Sequence, residues 1–284
     1  MAKLTVTATP IGNLGDLTPR AAEALKSADL ILAEDTRVTA KLTAYLDIRK
    51  PMIPLHRHNE REKTDALIGR IFAEDLNTVL VCDAGTPCIS DPGVFMVQAA
   101  WEAGLPVEAL PGASAVVTSL SLCGFDTREF AFYGFLPREK ADLKRKLDEI
   151  VSRGVAVNVF YESPHRVTEL VGRIAEWYPA ARLMVCCDLT KKFERVDRGT
   201  AAEVLGALQA NANVEKGEYA LVADFSDVEK PAEKNADLKS EYVMLDVLLD
   251  GGDLRAAKQA AADAGFAKND VYRAALRLKE LLEE

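Results

Sequence analysis

Short runs of aliphatic and β-branched residues alternate along this chain with segments whose apolar positions recur at helical spacing. Runs at residues 4–8, 30–34, 78–83, 107–110, 156–161, 183–188 and 219–224 read as strands. Helical periodicity is clearest at 19–27, 60–74, 95–103, 141–152 and 167–177. Strand–helix alternation predicts an α/β fold with a mainly parallel sheet. A break at Cys123-Gly124-Phe125 marks the passage from a first α/β domain, 1–120, to a second, 121–225. Residues 226–239 hold seven charged residues, one proline and no aromatic, which is a linker composition. Beyond them, 242–249, 254–264 and 270–282 read as three short helices, with Asp253 and Asn269 as N-caps. Residues 240–284 are therefore expected to form a small helical, helix-turn-helix-like domain.

Composition sharpens this picture only in part. A hydrophobic content of 49% and a charged content of 28% suit a soluble globular protein. No apolar run approaches the roughly 18 residues of a membrane helix, and the N-terminus enters a strand without a secretory apolar region, so a cytoplasmic protein is expected. The five cysteines form no CxxC pair and the three histidines show no ligand spacing with them, so no metal is expected. The net charge of −9 argues against indiscriminate nucleic-acid binding. Local basic clusters at 56–63, 138–146 and 191–198 remain candidates for holding an RNA backbone. The last 45 residues carry six Lys/Arg against nine Asp/Glu, which suits packing or shape-guided RNA contact better than duplex DNA.

Polar, glycine-rich turns follow the strands, where open α/β sheets bind ligands. The densest is Asp83-Ala84-Gly85-Thr86-Pro87-Cys88-Ile89-Ser90-Asp91-Pro92-Gly93, with Asp91 expected to cap a helix starting near Pro92. The first strand runs into Thr9-Pro10-Ile11-Gly12-Asn13-Leu14, and Thr18-Pro19 marks the next helix start. Neither GxGxxG nor the P-loop pattern occurs there. Glu34-Asp35-Thr36-Arg37 suits either a polar cleft or a cap with a salt bridge. Pro111-Gly112-Ala113-Ser114-Ala115 offers backbone amides at a helix start. Further strand ends carry Tyr161-Glu162-Ser163-Pro164-His165-Arg166 and Asp188-Leu189-Thr190-Lys191, and Lys216-Gly217-Glu218 precedes the last strand.

Taken in order with Gly134-Phe135-Leu136-Pro137, these motifs resemble the tetrapyrrole methylase superfamily of S-adenosylmethionine-dependent transferases. They look most like its bacterial group that methylates a cytidine ribose 2′-hydroxyl in small-subunit ribosomal RNA. The resemblance implies two α/β domains with the cofactor, S-adenosylmethionine, in a trough between them, a small C-terminal helical domain and a homodimer. It implies cofactor contacts from Pro10, Gly12, Asp83, Gly85, Thr86, Ile89, Ser90, Ser114, Ala115 and Tyr161. The chain departs from the group at Ala113, where proline is usual, and at Cys186-Cys187-Asp188, where Ala-Arg-Glu is usual. A ribose hydroxyl is a weak nucleophile that a positioned base helps, and Glu34, Asp35 and Lys191 are the candidates. Phe132, Tyr133 and Phe135 are candidates for base stacking. Alternatives are a methyltransferase acting on a corrin or porphyrin precursor, whose carboxylates the basic clusters would bind, and a non-catalytic ribosome-binding module.

Overall fold

The computed structural model describes residues 1–229 and 240–283, with side chains through 279. The expected linker lies outside the described residues except for its first four positions. The described chain forms two compact units, Met1–Lys146 with Val155–Val228, and Leu147–Gly154 with Glu229–Glu284.

In the first unit, β1 (Lys3–Thr7), α1 (Pro19–Ser27), β2 (Leu30–Ala33), α2 (Thr36–Tyr45), β3 (Met52–Pro54), α3 (Glu60–Ala73), β4 (Asn77–Val81), α4 (Val94–Glu102) and β5 (Val107–Leu110) follow in order. Their strands form one parallel sheet, β3-β2-β4-β1-β5. The apolar run of β2 has no polar alternation because both of its faces are covered. Leu30 and Leu32 join Leu67, Ile71 and Met96 on one side, and Ile31 and Ala33 join Leu25 and Leu42 on the other. Thr18 caps α1 through its hydroxyl, which accepts from Ala21 N, and Pro19 fills the first helical position as expected.

The chain continues through α5 (Ala115–Cys123), β6 (Phe130–Phe135), α6 (Lys140–Arg153), β7 (Val157–Glu162), α7 (Val167–Trp177), β8 (Arg182–Cys187), β9 (Arg195–Thr200), α8 (Ala201–Gln209) and β10 (Tyr219–Asp224). This second sheet, β6-β7-β10-β8-β9, is mixed: only β6 and β7 run parallel, and the other three pairs are antiparallel. The expectation of mainly parallel strands therefore holds for the first sheet and not for the second. The physical reason is the connection between β8 and β9, which is too short for the crossover that parallel neighbours need. Helix α5 packs Val116, Leu120 and Cys123 against Val157, Val159, Met184 and Val222, so it covers the second sheet although it follows the last strand of the first.

In the second unit, α9 (Ser240–Leu249), α10 (Leu254–Asp263) and α11 (Lys268–Glu283) bury Met244, Ala257, Ala261, Val271, Ala274, Ala275 and Leu278 together. Asp253 caps α10, accepting from Ala256 N at 2.7 Å. Asn269 lies inside the first turn of α11 rather than at its cap, because the helix begins at Lys268. No helix among the described residues is long and apolar enough to cross a membrane.

Candidate functional site

The order of the first sheet fixes where a ligand can sit. Helices α1 and α2 cover one face, through Leu25 and Leu42, and α3 and α4 cover the other, through Leu67 and Met96. The chain thus leaves the neighbouring strands β1 and β4 toward opposite faces, which opens a crevice beyond their carboxyl ends. The two loops stay joined at their base, where Thr9 N donates to Gly85 O at 2.8 Å and Gly85 N to Thr9 O at 3.0 Å. The Thr86 hydroxyl donates to Ala113 O at 3.0 Å, tying in the loop after β5.

A cavity of about 550 Å3 opens beside this junction, within the roughly 300–1,000 Å3 of small-molecule sites. Seven of the ten residues expected to touch a cofactor line it: Gly85, Thr86, Ile89, Ser90, Ser114, Ala115 and Tyr161. Pro10, Gly12 and Asp83 line a neighbouring hollow of about 180 Å3 under α2 instead. Among the candidate bases, only Glu34 lines the main cavity. Asp35 caps α2, accepting from Arg37 N, and forms a forked pair with the Arg37 guanidinium. The Lys191 ammonium donates to Asp188 at 2.8 Å and to Glu218 at 3.0 Å. Asp188, which stands where glutamate is usual, also accepts from Glu218 N at 3.2 Å, so the shorter carboxylate still links these two turns. The Leu189–Thr190 turn presses on Gly12, where a Cβ would meet Leu189 O and the Thr190 hydroxyl at 2.9 Å.

The turn carrying Ile89, Ser90 and Asp91 is held by residues that sequence reading assigned elsewhere. Asp91 is not the cap of α4. That helix starts at Val94, and the cap position is Gly93, which has no side chain to accept a hydrogen bond. The acceptor comes from α3: one buried Glu60 carboxylate oxygen takes N–H bonds from Gly93 at 2.9 Å, Phe95 at 2.8 Å and Met96 at 3.3 Å. Anion and helix N-terminus suit each other electrostatically. Arg57 donates to Ser90 O, and the Arg61 guanidinium lies over the Phe95 ring, 4.3 Å from its centroid. The cations read as one basic cluster thus brace the turn. Three cations of the other clusters are likewise engaged: Arg145 with Asp142, Arg195 with Asp197, and Arg198 with Cys123 O.

Among the described residues, Glu34, Asp91, Glu162, Glu218 and Arg57 are the charged residues that line the cavity. The Glu162 carboxylate is buried against Arg166 at 3.3 Å, and Glu218 is held by Lys191. Burial raises Glu34 above the ordinary carboxylate value, and the nearby Asp91 charge adds to this. Burial likewise raises Asp83, Asp91 and Glu162. Burial pushes the Tyr161 hydroxyl up to about 12, so it stays protonated. Asp35 is held down at about 2 by its hydrogen bonds to Arg37. For Lys191, burial works to lower the value, but its bonds to Asp188 and Glu218 prevail and raise it. Arg57, Glu162 and Glu218 were not singled out as cofactor contacts from sequence, although Glu162 and Glu218 belong to motifs noted there. Arg57 belongs to the 56–63 basic cluster, whose pattern points to an RNA backbone rather than to this cavity, and it arrives from the connection between β3 and α3.

Residues 3–205 match the family model described as Tetrapyrrole (Corrin/Porphyrin) Methylases. The chain is 38% identical over 278 residues to a Bacillus subtilis protein named Ribosomal RNA small subunit methyltransferase I, covering 96% of this chain and 94% of that one. A Synechocystis protein of the same name is 36% identical, covering 98% and 99%. Among solved structures, the Thermus thermophilus uroporphyrin-III C-methyltransferase complexed with S-adenosylhomocysteine shares the fold, with a TM-score of 0.55 at 17% identity, over 79% of this chain and 98% of that one. The chain belongs to the tetrapyrrole methylase family, within the group whose curated members are named ribosomal RNA small subunit methyltransferase I.

Proposed function

We propose that this protein transfers a methyl group from S-adenosylmethionine to a cytidine ribose 2′-hydroxyl in the RNA of the small ribosomal subunit. The observation that carries this reading is the end-to-end match to relatives of that name, which includes the C-terminal helices. The likeness to the porphyrin-precursor enzyme stops at 79% of the chain.

The cavity fits the cofactor. Ile11, Ile89 and Leu189 offer apolar walls, the carboxylates suit a sulfonium charge and ribose hydroxyls, and the start of α5 at Ser114–Ala115 offers amides for a carboxylate. When bound, S-adenosylmethionine supplies an already activated methyl group, so the protein's task is chiefly alignment. Gly85, Thr86, Ser114 and Tyr161 hold the cofactor. Glu34 accepts the hydroxyl proton, since its raised value brings it toward the working pH. Asp35, already committed to Arg37 and to the cap of α2, keeps Arg37 and the helix start in place. Lys191 is charged and bridges Asp188 to Glu218, so it positions the cavity wall. We further propose that the protein works in the cytoplasm and as a homodimer.

The pH dependence follows with opposite signs for stability and activity. Because Glu34, Asp83, Asp91 and Glu162 are raised by burial, the folded chain binds more protons than the unfolded one just above the ordinary carboxylate range. Their contribution to stability therefore grows as pH falls through that window. Asp35 and Asp126, both held at about 2 by arginine partners, and Asp75, Glu108 and Glu203, held low by their hydrogen bonds, oppose this as pH falls through and below the ordinary carboxylate range. As pH falls from neutrality toward the ordinary carboxylate range, melting temperature is expected to hold or rise while methyl transfer falls as Glu34 is neutralised. A parallel decline of both would contradict the assignment.

The functional reading is tested by incubating the protein with methyl-labelled S-adenosylmethionine and small subunits from a strain lacking the modification, alongside tetrapyrrole precursors. Label is expected in the subunit RNA alone. Label in a tetrapyrrole, or in neither, would overturn it.

A further inference from the structure

Strand β6 runs Phe130-Ala131-Phe132-Tyr133-Gly134-Phe135, and its pairing with β7 slips between Phe132 and Phe135. Phe132 pairs with Val159 and Phe135 with Tyr161, so three steps on β6 match two on β7. Strict alternation would put Phe135 on the face opposite Phe132. The inserted residue reverses this. Phe132 and Phe135 both meet the Tyr161 ring edge-on, at 4.9 and 5.9 Å between centroids, while Tyr133 stacks on Phe160 on the other side. Gly134, at φ +62°, makes the turn without steric cost and faces Ser90, whose hydroxyl oxygen would lie 3.8 Å from a Cβ there. Bulges next to functional sites re-aim side chains in this way.

The re-aimed ring lines the cavity yet stays 60% exposed, so it stands at the mouth with one face uncovered. It is also held firmly. Leu136 is buried, and Arg166 donates to Pro137 O at 3.1 Å. An exposed aromatic on a fixed backbone at the mouth of this cavity suits a flat, neutral heterocycle as its guest. We propose that Phe135 is the stacking platform for the nucleobase of the acceptor nucleotide, holding it splayed out at the mouth so that its ribose faces Glu34. This deepens the RNA reading and rests on it. Single-stranded or splayed bases stack on aromatic rings in a way that aliphatic side chains do not reproduce.

The test compares Phe135→Ala, Phe135→Leu and Phe135→Tyr with the unsubstituted protein. It measures KM and kcat on unmodified small subunits, and separately the Kd for S-adenosylmethionine by calorimetry. Phe135→Ala and Phe135→Leu are expected to raise KM for the subunits about 10-fold, while Phe135→Tyr stays within about 2-fold. The Kd for S-adenosylmethionine should be the same in all four. Wild-type behaviour of Phe135→Leu would show that apolar area suffices and would overturn the platform. A rise in the cofactor Kd parallel to KM would place the ring against the cofactor and overturn it too. No transfer by the unsubstituted protein would overturn the RNA reading itself, and the platform with it.

Discussion

Glu34→Gln is expected to lower kcat on small subunits about 100-fold while leaving the Kd for S-adenosylmethionine within a few-fold. The size follows from removing a positioned proton acceptor, which is worth roughly 100-fold to 10,000-fold. Glutamine keeps the shape and still offers an oxygen to Asp83 N, so the wall should stand. Asp35→Asn serves as the contrast. It keeps a capping oxygen for Arg37 N at the start of α2 and sits outside the main cavity, so kcat should fall by less than about 3-fold. Lys191→Gln removes the bridge between Asp188 and Glu218 and should act mainly on KM. If Asp35→Asn or Lys191→Gln lost as much kcat as Glu34→Gln, the proton acceptor would be misassigned.

The largest stability effect is expected at Glu60. Its carboxylate supplies three hydrogen bonds to backbone amides at the start of α4, in a buried position that water cannot refill. Hydrogen bonds to charged groups are worth about 1.5–3 kcal/mol, and a buried donor left unmade costs about 1–3 kcal/mol. Since one oxygen serves all three donors, the effects do not add fully, and Glu60→Ala should cost about 3 kcal/mol in urea unfolding. The same change frees the turn that carries Ile89, Ser90 and Asp91, so the Kd for S-adenosylmethionine should rise as well. Arg61→Ala removes only the contact over the Phe95 ring and should cost about 1 kcal/mol or less. Equal losses from Arg61→Ala and Glu60→Ala would remove the carboxylate's special place.

What the sequence revealed depended on how local each cause is. Helices α1 and α7 and strands β5 and β10 have the bounds that periodicity predicts, because Thr18-Pro19, the helical spacing of apolar positions in α7 and short apolar-rich runs in the strands mark them from within. Strand β9, Arg-Val-Asp-Arg-Gly-Thr, escapes that reading. It is a polar edge strand with alternating exposed and half-buried positions, and its arginines read as a basic cluster. Strand β6 escapes because its bulge breaks the alternation that would reveal it. The turn at 83–93 reads as a ligand loop from its own residues, and in the fold several of them line the cavity. Its anchor is not legible in that way, since Glu60 reaches it across more than 30 positions and displaces Asp91 from the cap that adjacency suggests. The cavity's charged residues have the same origin. Glu34, Asp91, Glu162 and Glu218 come from separate strand ends and turns and line one cavity only in the fold.

The most direct test of the account locates the transferred methyl group. Small subunits labelled by the protein would be digested to nucleosides and fragments, and mass analysis combined with alkaline hydrolysis would read the position. Methylation of the ribose 2′-oxygen blocks alkaline cleavage of the adjoining phosphodiester, because that oxygen can no longer attack it. One 2′-O-methylcytidine and one alkali-resistant linkage are expected. A methyl group on a base atom, with every linkage still labile, would contradict the ribose assignment.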